Sequence, residues 1–246
     1  MATQRPKHGN TSLAVVKTMG LLVADNSNFD VYIDSTPERQ LLETYISDQF
    51  FSIYEAKLHD FMPLLLSLRH ENKFCSAAGV RPAISHKLFL EQYLPQSIEV
   101  ILSQKTEHTV TRQQIAEIGN LASTKPGGSQ LLFIALTAML EATELEWVTF
   151  TATLPVQKAI GRLGIPLYPL HDSNPKLLKH SPLSDWGSYY EQKPKVVAAK
   201  LSQALQVLKK QPAYNQVLHC YKNRFNTLST LINPKRKSDG KSAYAA

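Results

Sequence analysis

The chain has 246 residues, 43% hydrophobic and 19% charged, enough to bury the core of one sizeable domain without requiring a second. Lys and Arg number 27 against 20 Asp and Glu, and the resulting net charge of +7 favours encounter with acidic partners. The only basic cluster, Pro234-Lys235-Arg236-Lys237, lies in a polar tail without interleaved aromatics, so nucleic acid is not expected as a partner.

Cys75 and Cys220 stand far apart and read as two buried free thiols, which leaves no disulfide framework. The histidines, among them His59, His70, His86, His108, His171, His180 and His219, are scattered singly without an H-E-x-x-H pattern. No metal is expected.

Ser12 to Ala24 is apolar for about 13 residues but contains Lys17, which is too short and too polar to span a bilayer. It ends without a small-x-small cleavage site, so an arm or a strand is the expectation and a secretory signal the alternative. The protein is therefore expected to be cytoplasmic, or else secreted.

"FDVYID" (Phe29 to Asp34) alternates as a strand does, and Pro37 to about Lys57 carries a helical stripe of Leu41, Leu42, Tyr45, Ile46, Phe50, Ile53 and Tyr54. Pro37 is taken as the first helical position after Ser35 and Thr36. Pro63 to His70, the turn "ENK" and Phe74 to Ala83 form a hairpin. "LFLEQYL" is a short helix, whereas the pattern of "PQSIEVILS" decides nothing.

Arg112 to Ser123 reads as a strand entering the glycine loop "STKPGGS", and an apolar helix follows from Ser129 to about Glu144. "EWVTFTAT" is a buried strand, "PVQKAIGRL" a helix closed by Gly164, and "IPLYPL" a short strand. This alternation of strand and helix means a sheet with helical crossovers. Beyond it lies an irregular stretch with the aromatic cluster Trp186, Tyr189 and Tyr190. Val196 to Lys210 and Ala213 to Ile232 read as two helices separated at Pro212. The second carries an amphipathic face of Tyr214, Val217, Leu218, Tyr221, Phe225, Leu228 and Leu231. That face docks against the domain or a second subunit, with peripheral membrane contact as the alternative.

The glycine loop is the chief candidate for chemistry. Backbone N–H groups at a helix start, with the positive end of the helix dipole, suit a phosphate, and Gly127 and Gly128 allow close approach. Lys125 adds a charge. The spacing matches neither a dinucleotide fingerprint nor a P-loop.

"GVRPA" (Gly79 to Ala83), "LFLEQYL" (Leu88 to Leu94), "IAEIGNLAS" (Ile115 to Ser123), "WVTFTAT" (Trp147 to Thr153) and "DWGSYYEQKP" (Asp185 to Pro194) resemble the successive blocks of the thermostable hemolysin family. The family is similar to GNAT acyltransferases and especially to acyl-homoserine-lactone synthases. The resemblance implies a mixed α/β (α+β) GNAT-like acyltransferase fold, with a central mixed sheet flanked by helices and further C-terminal helices. It covers roughly Phe29 to Val197, so the expected organisation is an arm over 1–28, the family domain over 29–194, C-terminal helices over 195–233 and, from its polar and basic composition, a disordered tail over 234–246.

It also implies roles. Glu117 and Arg81 would be catalytic, Glu117 as the base. Leu121, Ala122 and Ser123 would meet a pantetheine arm, and Lys125, Gly127, Gly128 and Ser129 its phosphates. The donor would be an acyl-CoA or the phosphopantetheine of an acidic acyl carrier protein, and the acceptor a small amine or amino acid. Ile160 replaces a tyrosine common in GNAT enzymes, which leaves Tyr168, Tyr189 and Tyr190 as candidates for the acid. Two alternatives stay open: Glu117 as a structural partner of Arg81 or Arg112, and a toxin acting directly on membranes.

Overall fold

The computed structural model describes residues 27–84, 87–179 and 182–232. The basic tail 234–246 and all but the last two residues of the expected arm lie outside them.

Seven strands form one sheet in the order β1-β2-β3-β4-β5-β7-β6. They are β1 (Ser27–Tyr32), β2 (Leu64–His70), β3 (Lys73–Pro82), β4 (Ile115–Ser123), β5 (Trp147–Ala152), β6 (Tyr168–Asp172) and β7 (Lys195–Lys200). Every adjacent pair is antiparallel except β4 and β5, which run parallel. The expected hairpin is β2–β3. Its two-residue turn places Glu71 at φ 50° and Asn72 at φ 61°, the left-handed pair that matches strand twist.

Helix α1 (Arg39–Tyr54) packs Leu42, Ile46 and Phe50, spaced by four, onto the sheet, while Leu41 and Ile53 are exposed. The expected stripe is therefore narrower. Pro37 precedes the helix in a turn closed by Thr36, whose hydroxyl accepts from the Ile33 amide. "LFLEQYL" forms a 3-10 helix (Phe89–Tyr93), and the undecided segment is α2 (Ile98–Thr106).

The apolar helix α3 (Gly128–Glu141) buries eleven of its residues, as a helix covered on all sides must. One side lies on the sheet, and the other meets α5 (Leu201–Lys210), α6 (Pro212–Cys220) and α7 (Lys222–Ile232). Helix α4 (Leu154–Arg162) follows β5 and ends before Gly164, at φ 78°.

Three expectations at the C-terminal end are corrected. Residues 196–200 are strand, not helix: β7 is inserted between β5 and β6, and the sheet thus extends beyond residue 194. The span 213–232 is two helices that break at Tyr221. Cys220 is exposed, while Cys75 is buried as expected. The domain itself covers most of the amphipathic face: Val217, Phe225 and Leu228 join the main core, the Phe225 ring meets Phe29 of β1 at 5.3 Å, and Leu231 stays exposed. Among the described residues no helix is long and apolar enough to cross a membrane.

Candidate active site

The parallel pair at the centre of the sheet is short. β4 and β5 pair only from Ile115↔Trp147 to Ile118↔Phe150, and beyond Ile118 the two strands have no ladder between them. A bulge accompanies the split. Ala77 faces Ala122 and Gly79 faces Gly119, so β4 holds one residue more than β3 over this stretch, and Asn120 adopts φ 48°. The Asn120 side chain fixes the neighbouring loop, its Oδ1 accepting from the Met62 amide at 2.8 Å.

A cavity of about 210 Å3 occupies the split and is lined by residues from both faces of the sheet. One limb is apolar and runs toward α3 and α4 past Phe133, Leu136, Phe150, Ile160 and Ile165. The other is a chamber floored by Arg81 and Glu117 and walled by Phe89, Tyr93, Trp186, Tyr189 and Tyr190. The Trp186 ring lies 5.6 Å from Phe89 and 5.4 Å from Tyr189.

Period-two alternation explains the floor. Arg81, Glu117 and Thr149 stand in one register row across β3, β4 and β5, all on one face, whereas Ile118 points to the α3 side. This polar row separates two apolar clusters, one around Tyr93 and Trp147 and the other around Leu42 and Leu65.

Glu117 is 3% exposed. Its Oε2 accepts from the Phe89 amide at 2.8 Å and its Oε1 from the Leu90 amide at 2.9 Å, so the carboxylate meets the start of the 3-10 helix. Arg81 Nη1 stands 3.9 Å from Oε2. Burial dominates and pushes the Glu117 carboxyl up to about 7; the two amides and Arg81 oppose it. A carboxyl poised near neutrality suits proton transfer. Arg112 takes no part, since it is bound to Glu91 and Glu99 at 2.6 and 3.0 Å.

Of the seven residues expected to hold a donor, only Leu121 lines the cavity. Ala122 is packed in the core beside Leu42, and Ser123 bonds Ser76 Oγ at 2.9 Å. Lys125 is exposed, and Gly127 and Gly128 are buried at the start of α3, followed by Ser129. Gly127 takes φ 81°. The Gly128 amide is already given to the Lys125 carbonyl at 3.0 Å. A Cβ on Gly128 would stand 2.3 Å from Ser76 Oγ, so this glycine lets the helix approach β3. The expectation that both glycines aim free amides into an open cleft is thus not met at Gly128.

Among the tyrosine candidates, Tyr168 hydrogen bonds Gln203 and does not line the cavity. Tyr189 and Tyr190 do; Tyr190 meets the Tyr93 hydroxyl, and burial pushes Tyr190 up to about 12. The residues that sequence reasoning missed are Thr151, Thr153 and Met62. Thr151 Oγ1, Thr153 Oγ1 and Trp186 Nε1 are buried at the cavity without a hydrogen-bond partner. Threonine alternation in "WVTFTAT" puts Thr149, Thr151 and Thr153 on the Glu117 face, but the split that leaves the last two unpaired has no sequence signal. Among the described residues no group of His, Cys, Asp and Glu could hold a metal ion.

Comparison with solved structures identifies this arrangement as a GNAT-like fold. The chain is similar to TofI in an apo form, with a TM-score of 0.50 at 12% identity, covering 76% of this chain and 99% of that one. It is also similar to the AHL synthase LasI (TM-score 0.47, 14% identity, 72% and 91% covered). A third is FeeM, an N-acyl amino acid synthase from uncultured soil microbes (TM-score 0.48, 12% identity, 77% and 98% covered). At these identities the likeness is one of fold. The sequence itself is more specific: residues 32–205 match the family described as Thermostable hemolysin, and the chain belongs to that family. No curated protein matches it.

Proposed function

We propose that this protein is an N-acyltransferase moving a fatty acyl group from a thioester donor to an amine. The observation that carries the reading is the two-limbed cavity at the β4/β5 split, with a buried carboxylate on one side of the sheet and an apolar limb on the other. An acyl chain fits the apolar limb, and the thioester carbon then lies at the split, beside the unpaired edge of β4. The amine enters the chamber over Glu117.

Glu117, as carboxylate, takes a proton from the ammonium group. The freed nitrogen attacks the thioester carbon, a C–N bond forms, and collapse breaks the C–S bond. The nitrogen's second proton passes, through water or a cavity hydroxyl, to the departing thiolate, and Glu117 returns its own proton to solvent, so the products are an amide and a thiol. Unpaired amides of β4 beyond Ile118 suit the oxyanion. The donor is an acyl-CoA or an acylated carrier protein, and the chain's net charge of +7 favours either. Lys125, exposed just before α3, is a cation available to its phosphates. A lipidated amine is detergent-like, so a product of this kind would itself be lytic.

The test is direct. Purified protein is incubated with palmitoyl-CoA or palmitoyl carrier protein and a mixture of amines and amino acids, and free thiol and new amides are followed by mass spectrometry. Stoichiometric release of thiol and amide is expected. Neither donor being consumed by folded protein would overturn the proposal.

A further inference from the structure

The chamber over Glu117 holds one positive and one negative side chain, and the positive one lacks a close partner. Among the described residues, the Arg81 side chain has a single ion-pair partner, Glu117 Oε2 at 3.9 Å, beyond hydrogen-bond distance, and no hydrogen bond. The other shielded arginines are engaged: Arg39 donates to the carbonyls of Met62 and Pro63 and to Glu43, and Arg112 to Glu91, Glu99 and Ala83. The Arg81 side chain is 20% exposed and lines the cavity. A guanidinium has five donors in a planar fork that fits a carboxylate through two parallel bonds. Trp186 Nε1, another buried donor without a partner, lines the same chamber.

We infer that the acceptor is a zwitterionic α-amino acid with an uncharged side chain, its carboxylate held by Arg81 and its ammonium by Glu117. This inference rests on the acyl-transfer reading for its biological meaning. The charges balance only for such a ligand: a simple amine leaves Arg81 unmatched, and a simple carboxylic acid leaves Glu117 unmatched. Arg81 and Glu117 are neighbours in one register row with Nη1 3.9 Å from Oε2, so one small molecule can reach both charged ends. The rest of the chamber wall is uncharged, largely aromatic with the hydroxyls of Thr151 and Thr153, and the further charged lining residues, Lys57, His59 and Asp60, are exposed at its rim. A charged ligand side chain would find no partner inside.

Binding without any donor tests this separately from catalysis. L-leucine, L-phenylalanine and L-glutamine are titrated calorimetrically against the full chain, beside their primary amides and their decarboxylated amines. At least one amino acid should bind at least ~10-fold more tightly than its amide and amine, the loss expected when a charge-assisted bidentate contact goes. Arg81→Gln should abolish that preference while leaving amide affinity within about twofold, and Arg81→Lys should keep part of it; melting curves check that both fold. Absence of amino-acid binding to the folded wild-type chain, equal affinity for acid and amide, or a preference that persists in Arg81→Gln would each overturn the inference. Acylation of amines and amino acids alike would end it while leaving acyl transfer standing. Arg81-dependent amino-acid binding without any thioester turnover would do the reverse.

Discussion

Gly187 lies directly against the carbonyl of Tyr54. Its neighbour Ser188 donates its amide to that oxygen at 2.8 Å, and a Cβ on Gly187 would stand 1.9 Å from it. Gly187 also has φ 46°, which side-chain-bearing residues rarely adopt. With the Lys57 amide bonded to Asp185 O at 2.6 Å, the segment bearing Trp186, Tyr189 and Tyr190 is stapled to the end of α1. Gly187→Ala should therefore shift the aromatic roof, at a cost of about 1–3 kcal/mol. For a chain of this size that is roughly 3–10 °C in melting temperature. Acyl transfer should fall by more than the lost stability explains, at least ~10-fold at a temperature where the variant is folded. Unchanged turnover would separate the roof from function.

Glu117 sets the expected pH dependence. Its carboxyl is held at about 7 by burial against a reference of 4.5, with Arg81 and the Phe89 and Leu90 amides opposing and Glu91 adding to the rise. If it is the base, turnover should climb with pH and level off above a midpoint near 7. Stability runs the other way. The folded state holds this proton more tightly than the unfolded state, so the contribution is complete below pH 4.5. It is lost as pH rises through 7, on the order of 3 kcal/mol in all. Glu117→Gln should flatten both profiles, lower turnover by at least ~100-fold at pH 8, and forfeit one of the two amide bonds. Melting and rate measurements at pH 5 and pH 8.5 on both proteins decide it. A rate profile in Glu117→Gln that still rises through 7 would assign the titration to another group.

Thr151 and Thr153 carry hydroxyls that are buried at the cavity and unpartnered. Replacing an unsatisfied buried hydroxyl by a methyl of the same shape is neutral or stabilising, by up to about 1 kcal/mol. Thr151→Val and Thr153→Val should thus melt at or above the wild-type temperature. If these hydroxyls meet the substrate, the same variants should lose several-fold in kcat/KM. Lower melting temperatures with unchanged kinetics would make them ordinary structural groups.

The extent to which this fold was legible varied with the physics of each segment. The hairpin and the run from β4 through α4 follow from alternation, glycine breaks and β-branched residues, which are local signals. β7 did not: Val196, Val197, Ala198 and Ala199 are buried on both faces, so no alternation marks them, and the flanking Lys and Ala suit a helix. The α6–α7 break at Tyr221 carries neither Gly nor Pro. Arg81 and Glu117 came from family blocks, and only the register shows that they face each other. The chamber's roof joins residues near 54 to residues near 187, a proximity no local pattern encodes. Gly127 and Gly128 were correctly placed at a helix start, yet the need for a missing side chain at Gly128 comes from Ser76 on β3.

The last prediction concerns the glycine pair Gly79 and Gly119, which face each other across β3 and β4 with Met62 lying over both. A Cβ on Gly79 would stand 2.5 Å from Met62 Cβ and Cγ, whereas one on Gly119 would stand 2.4 Å from the terminal methyl. These clashes differ in kind. Met62 is pinned near its backbone by the bond from its amide to Asn120 Oδ1, so its Cβ cannot withdraw, but its methyl can swing. Gly79→Ala should accordingly cost about 1–3 kcal/mol, and Gly119→Ala less than about 1 kcal/mol. Because Met62 lines the cavity, the methyl displaced in Gly119→Ala should narrow it and raise KM for the acyl donor. Removal of the whole methionine side chain, Cβ included, should relieve the first clash, so that Met62→Gly and Gly79→Ala together cost less than the sum of the two, by at least ~1 kcal/mol. Strict additivity in that cycle would show that Gly79 is kept for some reason other than the passage of Met62.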